Sequence, residues 1–93
     1  MKDIMPAEFQ LNQNYPNPFK ERTTIKYCVP DKARIGLEVF DSSRNKVKTL
    51  VKEIKDAGTY KVEIDGRNLP DGIYFYRLNA GDFIETKKMM LMK

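Results

Sequence analysis

The sequence predicts an all-β fold, an antiparallel sandwich of about seven strands, on three grounds. Apolar residues recur at every second position through most of the chain and almost nowhere at helical spacing, so side chains alternate between a buried and a wet face. Clusters of turn-forming residues interrupt these runs at intervals of roughly 8–12 residues, the spacing of sandwiches and barrels. The chain has 93 residues, enough for one core and not for two.

Taken in order, the start Met1-Lys2-Asp3-Ile4-Met5-Pro6 lacks the apolar stretch of a secretory signal. Such a chain is either cytoplasmic or part of a larger exported protein. Residues 1–8 are expected to be a flexible linker or cloning-derived, and residues 9–93 to form the domain. Next comes Asn14-Tyr15-Pro16-Asn17-Pro18-Phe19, with two prolines that fix φ near −65° and bias the preceding residues toward extended backbone. This segment reads as a stiff, non-helical lead into a sheet, with Phe19 packed on it.

The first clear strand alternates Ile25, Tyr27 and Val29 with Lys26 and Cys28, and the next alternates Ile35, Leu37 and Val39 with Gly36 and Glu38. Val47 to Ile54 is less regular; its apolar spacing also fits a helix, but its β-branched residues favour a strand. Tyr60, Val62 and Ile64 alternate with Lys61, Glu63 and Asp65. Ile73-Tyr74-Phe75-Tyr76-Arg77-Leu78 is apolar on both faces, which predicts a central strand covered on one side by the facing sheet and on the other by loops or a partner. Turn residues separate the runs at Pro30–Ala33, Asp41–Asn45, Asp56–Gly58, Asp65–Asn68, Leu69–Gly72 and Ala80–Asp82. Asp71-Gly72-Ile73-Tyr74 fits the tyrosine corner of immunoglobulin-like sandwiches, in which a tyrosine bonds back to upstream backbone; a plain core aromatic is the alternative.

Composition narrows the chemistry. With no His and one Cys there is no imidazole base, no Cys/His pair and no soft-metal set, so the chain is not expected to be an enzyme or to hold a cofactor. Asp65, Asp71 and Asp82 offer hard oxygen ligands for calcium, but loop aspartates more commonly form turns. Cys28 has no neighbour in sequence to depress its pKa and reads as incidental. The net charge of +4 comes from dispersed lysines, so no nucleic-acid footprint is predicted. Lys46, Lys48, Lys52 and Lys55 read as a solvated strand face, and Lys87, Lys88 and Lys93 as the one local basic cluster. No apolar run reaches the ~20 residues of a spanning helix, and no membrane insertion is expected.

These motifs, in this order, resemble the type A C-terminal sorting domain of the type IX secretion system. The resemblance runs from Phe9 to Lys93. It includes Leu11-Asn12-Gln13-Asn14-Tyr15-Pro16-Asn17-Pro18-Phe19, Thr23-Thr24-Ile25-Lys26-Tyr27, Val39-Phe40-Asp41, Ala57-Gly58-Thr59-Tyr60, Asp65-Gly66-Arg67-Asn68-Leu69, Gly72 to Leu78, and Lys87-Lys88-Met89-Met90-Leu91-Met92-Lys93. It departs at Lys20-Glu21, where the family usually has Asn-Pro, at Arg44, usually Gly, and at Ile64, frequently Trp. Arg44 makes a left-handed turn position uncomfortable, so Asn45 is expected to take the positive φ.

The resemblance implies a non-catalytic address label that comes after a cargo domain. It implies partners in the secretion machinery and a sortase-like peptidase that removes the domain, and export through the periplasm to the outer membrane, cell surface or medium. It points to Gly72 and Tyr74 of a G-x-Y motif and to Lys87, Lys88, Met89, Leu91 and Lys93 as recognition residues. The physical reading of that end is an exposed terminal strand with free backbone groups for strand addition, or an edge strand whose lysines block aggregation. Asn14 to Phe19 would then mark the domain start at the end opposite the recognised residues. Two other classes stay open: a structural module like the immunoglobulin-like domain of flagellar hook-capping proteins, and an adhesive or carbohydrate-binding sandwich. A weak homodimer through the Tyr74/Tyr76 strand is a further expectation.

Overall fold

Strand periodicity is realised throughout the computed structural model, which describes residues 7–93. Residues 1–6, most of the predicted linker, lie outside the described residues. Seven strands succeed one another: β1 (Gln10–Leu11), β2 (Arg22–Val29), β3 (Ala33–Phe40), β4 (Lys46–Lys55), β5 (Gly58–Asp65), β6 (Gly72–Ala80) and β7 (Phe83–Leu91). No helix occurs among the described residues. Two antiparallel sheets pack face to face, a three-stranded one ordered β1-β2-β5 and a four-stranded one ordered β4-β3-β6-β7. The predicted β-sandwich is the fold.

The core is what the alternation dictates. Ile25, Tyr27 and Val29 of β2 face Ile35, Leu37 and Val39 of β3 and Tyr74, Tyr76 and Leu78 of β6, all buried. Each large apolar side chain sealed in this way contributes roughly 1.5–3 kcal/mol relative to exposure. Ile64, which stands where a larger aromatic is frequent, is fully buried. Cys28 points away from this core as its parity requires, yet it is buried, flanked in register by Gln10 and Thr59 with Sγ 3.7 Å from Thr59 Oγ1.

The ambiguous segment is strand β4, and it corrects the reading of its lysines. Two register irregularities, between Leu37 and Glu38 and between Val39 and Phe40, interrupt its pairing with β3. Each bulge inserts a residue and reverses the facing of the side chains beyond it. Lys46 therefore lies opposite Phe40 on the outer face and Lys48 opposite Val39 on the core side, while Lys52, opposite Gly36, and Lys55, opposite Ala33, differ in facing by simple alternation. There is no single lysine face.

The β3–β4 turn departs from expectation as well. Arg44, not Asn45, carries the positive φ, at 71°. Asp41 enforces it: its Oδ1 accepts from the N–H groups of Ser43 and Asn45, and its carbonyl from Arg44. These bonds fix the turn before side-chain preference at residue 44 can move it.

β6 is central, between β3 and β7, as its two-sided apolar sequence predicts. Tyr74 and Tyr76 share one parity and both point into the core, so they present no surface for a dimer; the outer face carries Ile73, Phe75 and Arg77 instead. The tyrosine corner is present, with Tyr74 Oη donating to the Pro70 carbonyl at 2.6 Å.

Candidate recognition site at the terminal strand

The two ends of the domain meet. The opening segment Asn12–Phe19 crosses the open side of the sandwich, bridging to β2 at Tyr15↔Thr24 and to β7 at Phe19↔Leu91. Both of its X-Pro bonds, Tyr15–Pro16 and Asn17–Pro18, are cis. Ahead of it, the Phe9 ring stacks on Phe83 at 5.3 Å, which sets Phe9 beside the β6–β7 turn.

A buried polar node holds the segment down. Tyr76 Oη accepts from the Asn14 N–H and donates to the Asn12 carbonyl, each at 2.7 Å. The Asn14 amide donates to the Pro16 carbonyl and to Thr23 Oγ1, Thr23 Oγ1 donates to the same carbonyl, and Asn14 Oδ1 accepts from Gln13. Asn14 and Thr23 are the two buried polar side chains among the described residues, and each of their side-chain N and O atoms is hydrogen-bonded. Satisfied in this way the node specifies one path for the chain; half-satisfied it would destabilise the core. Burial pushes the Tyr76 phenol up to about 12, only partly offset by the Asn14 N–H, so it stays neutral and can donate. Tyr27 is likewise raised to about 12, chiefly by burial.

From this anchor the segment reaches the outer edge of β7. The Met90 N–H donates to Asn17 Oδ1, the Phe19 N–H to the Met90 carbonyl, the Met92 N–H to the Phe19 carbonyl, and Gln13 Nε2 to the Lys88 carbonyl. The expectation of a free terminal edge is therefore corrected: from the Lys88 carbonyl to the Met92 N–H its outward backbone groups already have partners within the chain. The physical reason is that a proline-containing segment with few N–H groups of its own can still offer side-chain amides and carbonyls to an unpaired edge. Segments at opposite ends of the sequence are thus neighbours in space.

Register joins the two halves of the predicted site. Gly72 pairs with Leu91 and Tyr74 with Met89, so the G-x-Y motif is the template on which the terminal strand lies. Met89 and Leu91 are fully buried and anchor it. Lys87, a member of the expected basic cluster, lies opposite Tyr76 on the inner side, with Nζ 3.2 Å from Glu85. Lys88 and Lys93 are exposed. The chain end is tied back: the Lys93 N–H donates to Asp71 Oδ1 at 3.2 Å and its Nζ to the Arg67 carbonyl at 2.8 Å.

The β5–β6 turn completes the arrangement. A Cβ on Gly66 would stand 2.9 Å from Phe19 Cε2 and 3.2 Å from Leu91 Cδ2, so only glycine lets the turn, the opening segment and the terminal strand approach this closely. Asp65 is a turn-former: its two carboxylate oxygens accept from Arg67, and those hydrogen bonds hold its carboxyl far below the usual carboxylate range.

Periodicity did not single out Gln13, Thr23, Gly66 or Tyr76. One signal was available: Thr23 is the polar member of the inward series 23, 25, 27, 29, and a buried hydroxyl requires a partner.

A sandwich whose opening segment latches its own terminal strand defines a class of all-β module in which the last strand and the lead-in form one unit. The family described as the secretion system C-terminal sorting domain matches residues 13–92, from Gln13 of the latch through Met92 of the strand it holds. The chain belongs to this family, the sorting domain of type IX secretion. No curated protein and no solved structure matches the chain.

Proposed function

We propose that this domain is a non-catalytic secretion signal that directs a preceding cargo domain through the type IX machinery to the outer membrane or cell surface, and that it is removed after export by a sortase-like peptidase. The domain proper begins at Phe9, supported by the stacking of its ring on Phe83. The observation that carries the reading is the family match, which continues to the second-last residue and so takes in the whole terminal strand. It favours this reading over a hook-capping-like structural module or an adhesive sandwich.

Recognition falls on Lys87 to Lys93 with Gly72 and Tyr74, and the geometry suggests a division of labour among them. Met89 and Leu91, buried against Tyr74 and opposite Gly72, position the strand. Lys88 and Lys93 are exposed, so an acidic groove can pair with Lys88 and with the donors that Lys93 has left beside its bond to the Arg67 carbonyl. The latched backbone favours reading by side chains over strand addition at these residues.

The test is surface delivery of a reporter fused ahead of Phe9. Deleting Leu91 to Lys93 is expected to abolish delivery, and Lys88→Glu with Lys93→Glu to impair it while leaving the circular dichroism spectrum unchanged. Undiminished delivery of the deletion would sink the assignment; undiminished delivery of the lysine variants would reduce Lys88 and Lys93 to edge protection.

A further inference from the structure

The outer face of the four-stranded sheet carries a second feature, which shares only Lys88 with the terminal-strand site. Register places Lys46, Phe40, Phe75 and Lys88 in one row across all four strands, with Glu38, Arg77 and Thr86 in the row beside it. Phe40, Phe75, Arg77 and Thr86, with Arg44 from the β3–β4 turn, line a shallow depression of about 350 Å³. Its floor is aromatic and its rim cationic: Arg44, Lys46, Arg77 and Lys88 surround it, while Glu38 is the one carboxylate among the strand residues of this face.

Two groups in the depression are not explained by folding. The Arg77 guanidinium lies over the Phe40 ring at 4.6 Å and reaches Glu38 at 3.6 Å through Nη2, yet its Nε is buried without a hydrogen-bond partner among the described residues. A buried charged N–H without an acceptor is costly, and an incoming anion would supply one. Arg44 occupies a left-handed position that glycine fills without strain, and its side chain lines the same depression. It forms no ion pair with any described residue.

We propose that this depression binds an acidic, partly apolar segment of a partner protein, a carboxylate meeting Arg77 and Arg44 and neighbouring apolar side chains covering the phenylalanines. A guanidinium takes a carboxylate in two parallel hydrogen bonds, and the aromatic floor excludes water and strengthens the pair. Phosphate-bearing glycan or lipid would satisfy the arginines equally. It would leave uncovered the apolar side chains that continue the face on either side, Ile73 and Met90 in one direction and Ile84, 63% exposed, in the other. That apolar flank favours a polypeptide. The site shares only Lys88, at its rim, with the terminal-strand site, and the proposal rests on Arg77, Arg44, Phe40 and Phe75, so it does not depend on how the terminal strand is read.

The Arg77 Nε–H resonance reports the event directly in NMR titrations of the domain. The probes are acetyl-Glu-Leu-Glu-Leu-Glu-amide, its all-glutamine analogue, inorganic phosphate and glucose 1-phosphate. The acidic peptide is expected to shift Arg77 Nε–H and the Phe75 and Thr86 amides saturably, and the glutamine analogue to have no effect. Arg77→Lys keeps the charge and loses the Nε–H, and should weaken binding about tenfold, the loss of one charged hydrogen bond. Arg44→Gly should weaken it as well while raising the melting temperature, because the strain at φ 71° is released. Equal binding of the two peptides, undiminished binding by both variants, or no saturable shift would overturn the proposal. Tighter binding of phosphate or glucose 1-phosphate at the same resonances would overturn the polypeptide assignment in favour of a phosphate-bearing ligand.

Discussion

Tyr76→Phe removes one oxygen atom from a fully buried side chain and should cost more than any comparable deletion in the domain. The hydroxyl is a through-point: it accepts from the Asn14 N–H and donates to the Asn12 carbonyl, both at 2.7 Å. Asn14 is 2% exposed, so its N–H would be left without water, at about 1–3 kcal/mol. The carbonyl of half-buried Asn12 can be partly rehydrated and adds about 1 kcal/mol. The expected loss is therefore about 2–4 kcal/mol. Tyr74→Phe is the internal control, because its hydroxyl makes one bond, to the carbonyl of exposed Pro70, which water can take over for about 0.5–1.5 kcal/mol. Urea unfolding followed by far-ultraviolet circular dichroism measures both, with equal slopes required for comparison. At about 4–8 °C per kcal/mol for a domain of this size, thermal melts should separate the two variants plainly. If Tyr76→Phe is no more destabilised than Tyr74→Phe, the node does not anchor the opening segment and the reasoning fails.

Gly66→Ala should lose about 1–3 kcal/mol by driving a methyl into Phe19 and Leu91; an unchanged melting temperature would mean the opening segment yields freely. Asn17→Ala should cost under about 1 kcal/mol because its site is exposed. Its signature is faster amide hydrogen exchange at Met90 with Met92 unaffected; protection retained at Met90 would contradict the latch. Tyr27 and Tyr76 have folded-state pKa values of about 12 against 10 for the free phenol, so the stability they contribute is complete below pH 10 and is lost as pH rises toward 12. The loss is up to about 2–3 kcal/mol for each phenol, and a folded protein whose five tyrosines all ionise in one step at about pH 10 would refute it. Asp65, held low by hydrogen bonds from Arg67, acts in the opposite sense: its contribution is present above the unfolded pKa and fades on acidification. Carboxyl NMR titration should show Asp65 returning to the ordinary range in Arg67→Ala.

The fold was legible because its signals are local. Alternation at Ile25 to Val29, Ile35 to Val39 and Tyr60 to Ile64, with Asp, Gly and Pro between, is enough to write β2, β3 and β5, and two-sided apolarity is enough to place β6 in the middle, while the two-residue β1 is too short to leave a period. The corner motif Asp71-Gly72-Ile73-Tyr74 places Tyr74, whereas the burial of Met89 and Leu91, read from the sequence as recognition residues, emerges only in the fold. Local rules failed where a single inserted residue reverses facing, as in β4, and where one side chain dictates a turn, as Asp41 does at Arg44.

Two features were decided only by the tertiary structure. The latch joins Asn17 to Met90 across 73 residues of sequence, through side-chain amides and carbonyls that leave no periodic mark. The cationic depression draws Arg44 and Lys46, Arg77 and Lys88 from three separate places in the chain, so in sequence they are merely dispersed charge. Strand identity is a property of neighbours along the chain, and composition and period record it. Which edge is covered and which charges share a face depend on the order in which strands pair, and here that pairing makes the proline segment part of the terminal strand's own structure.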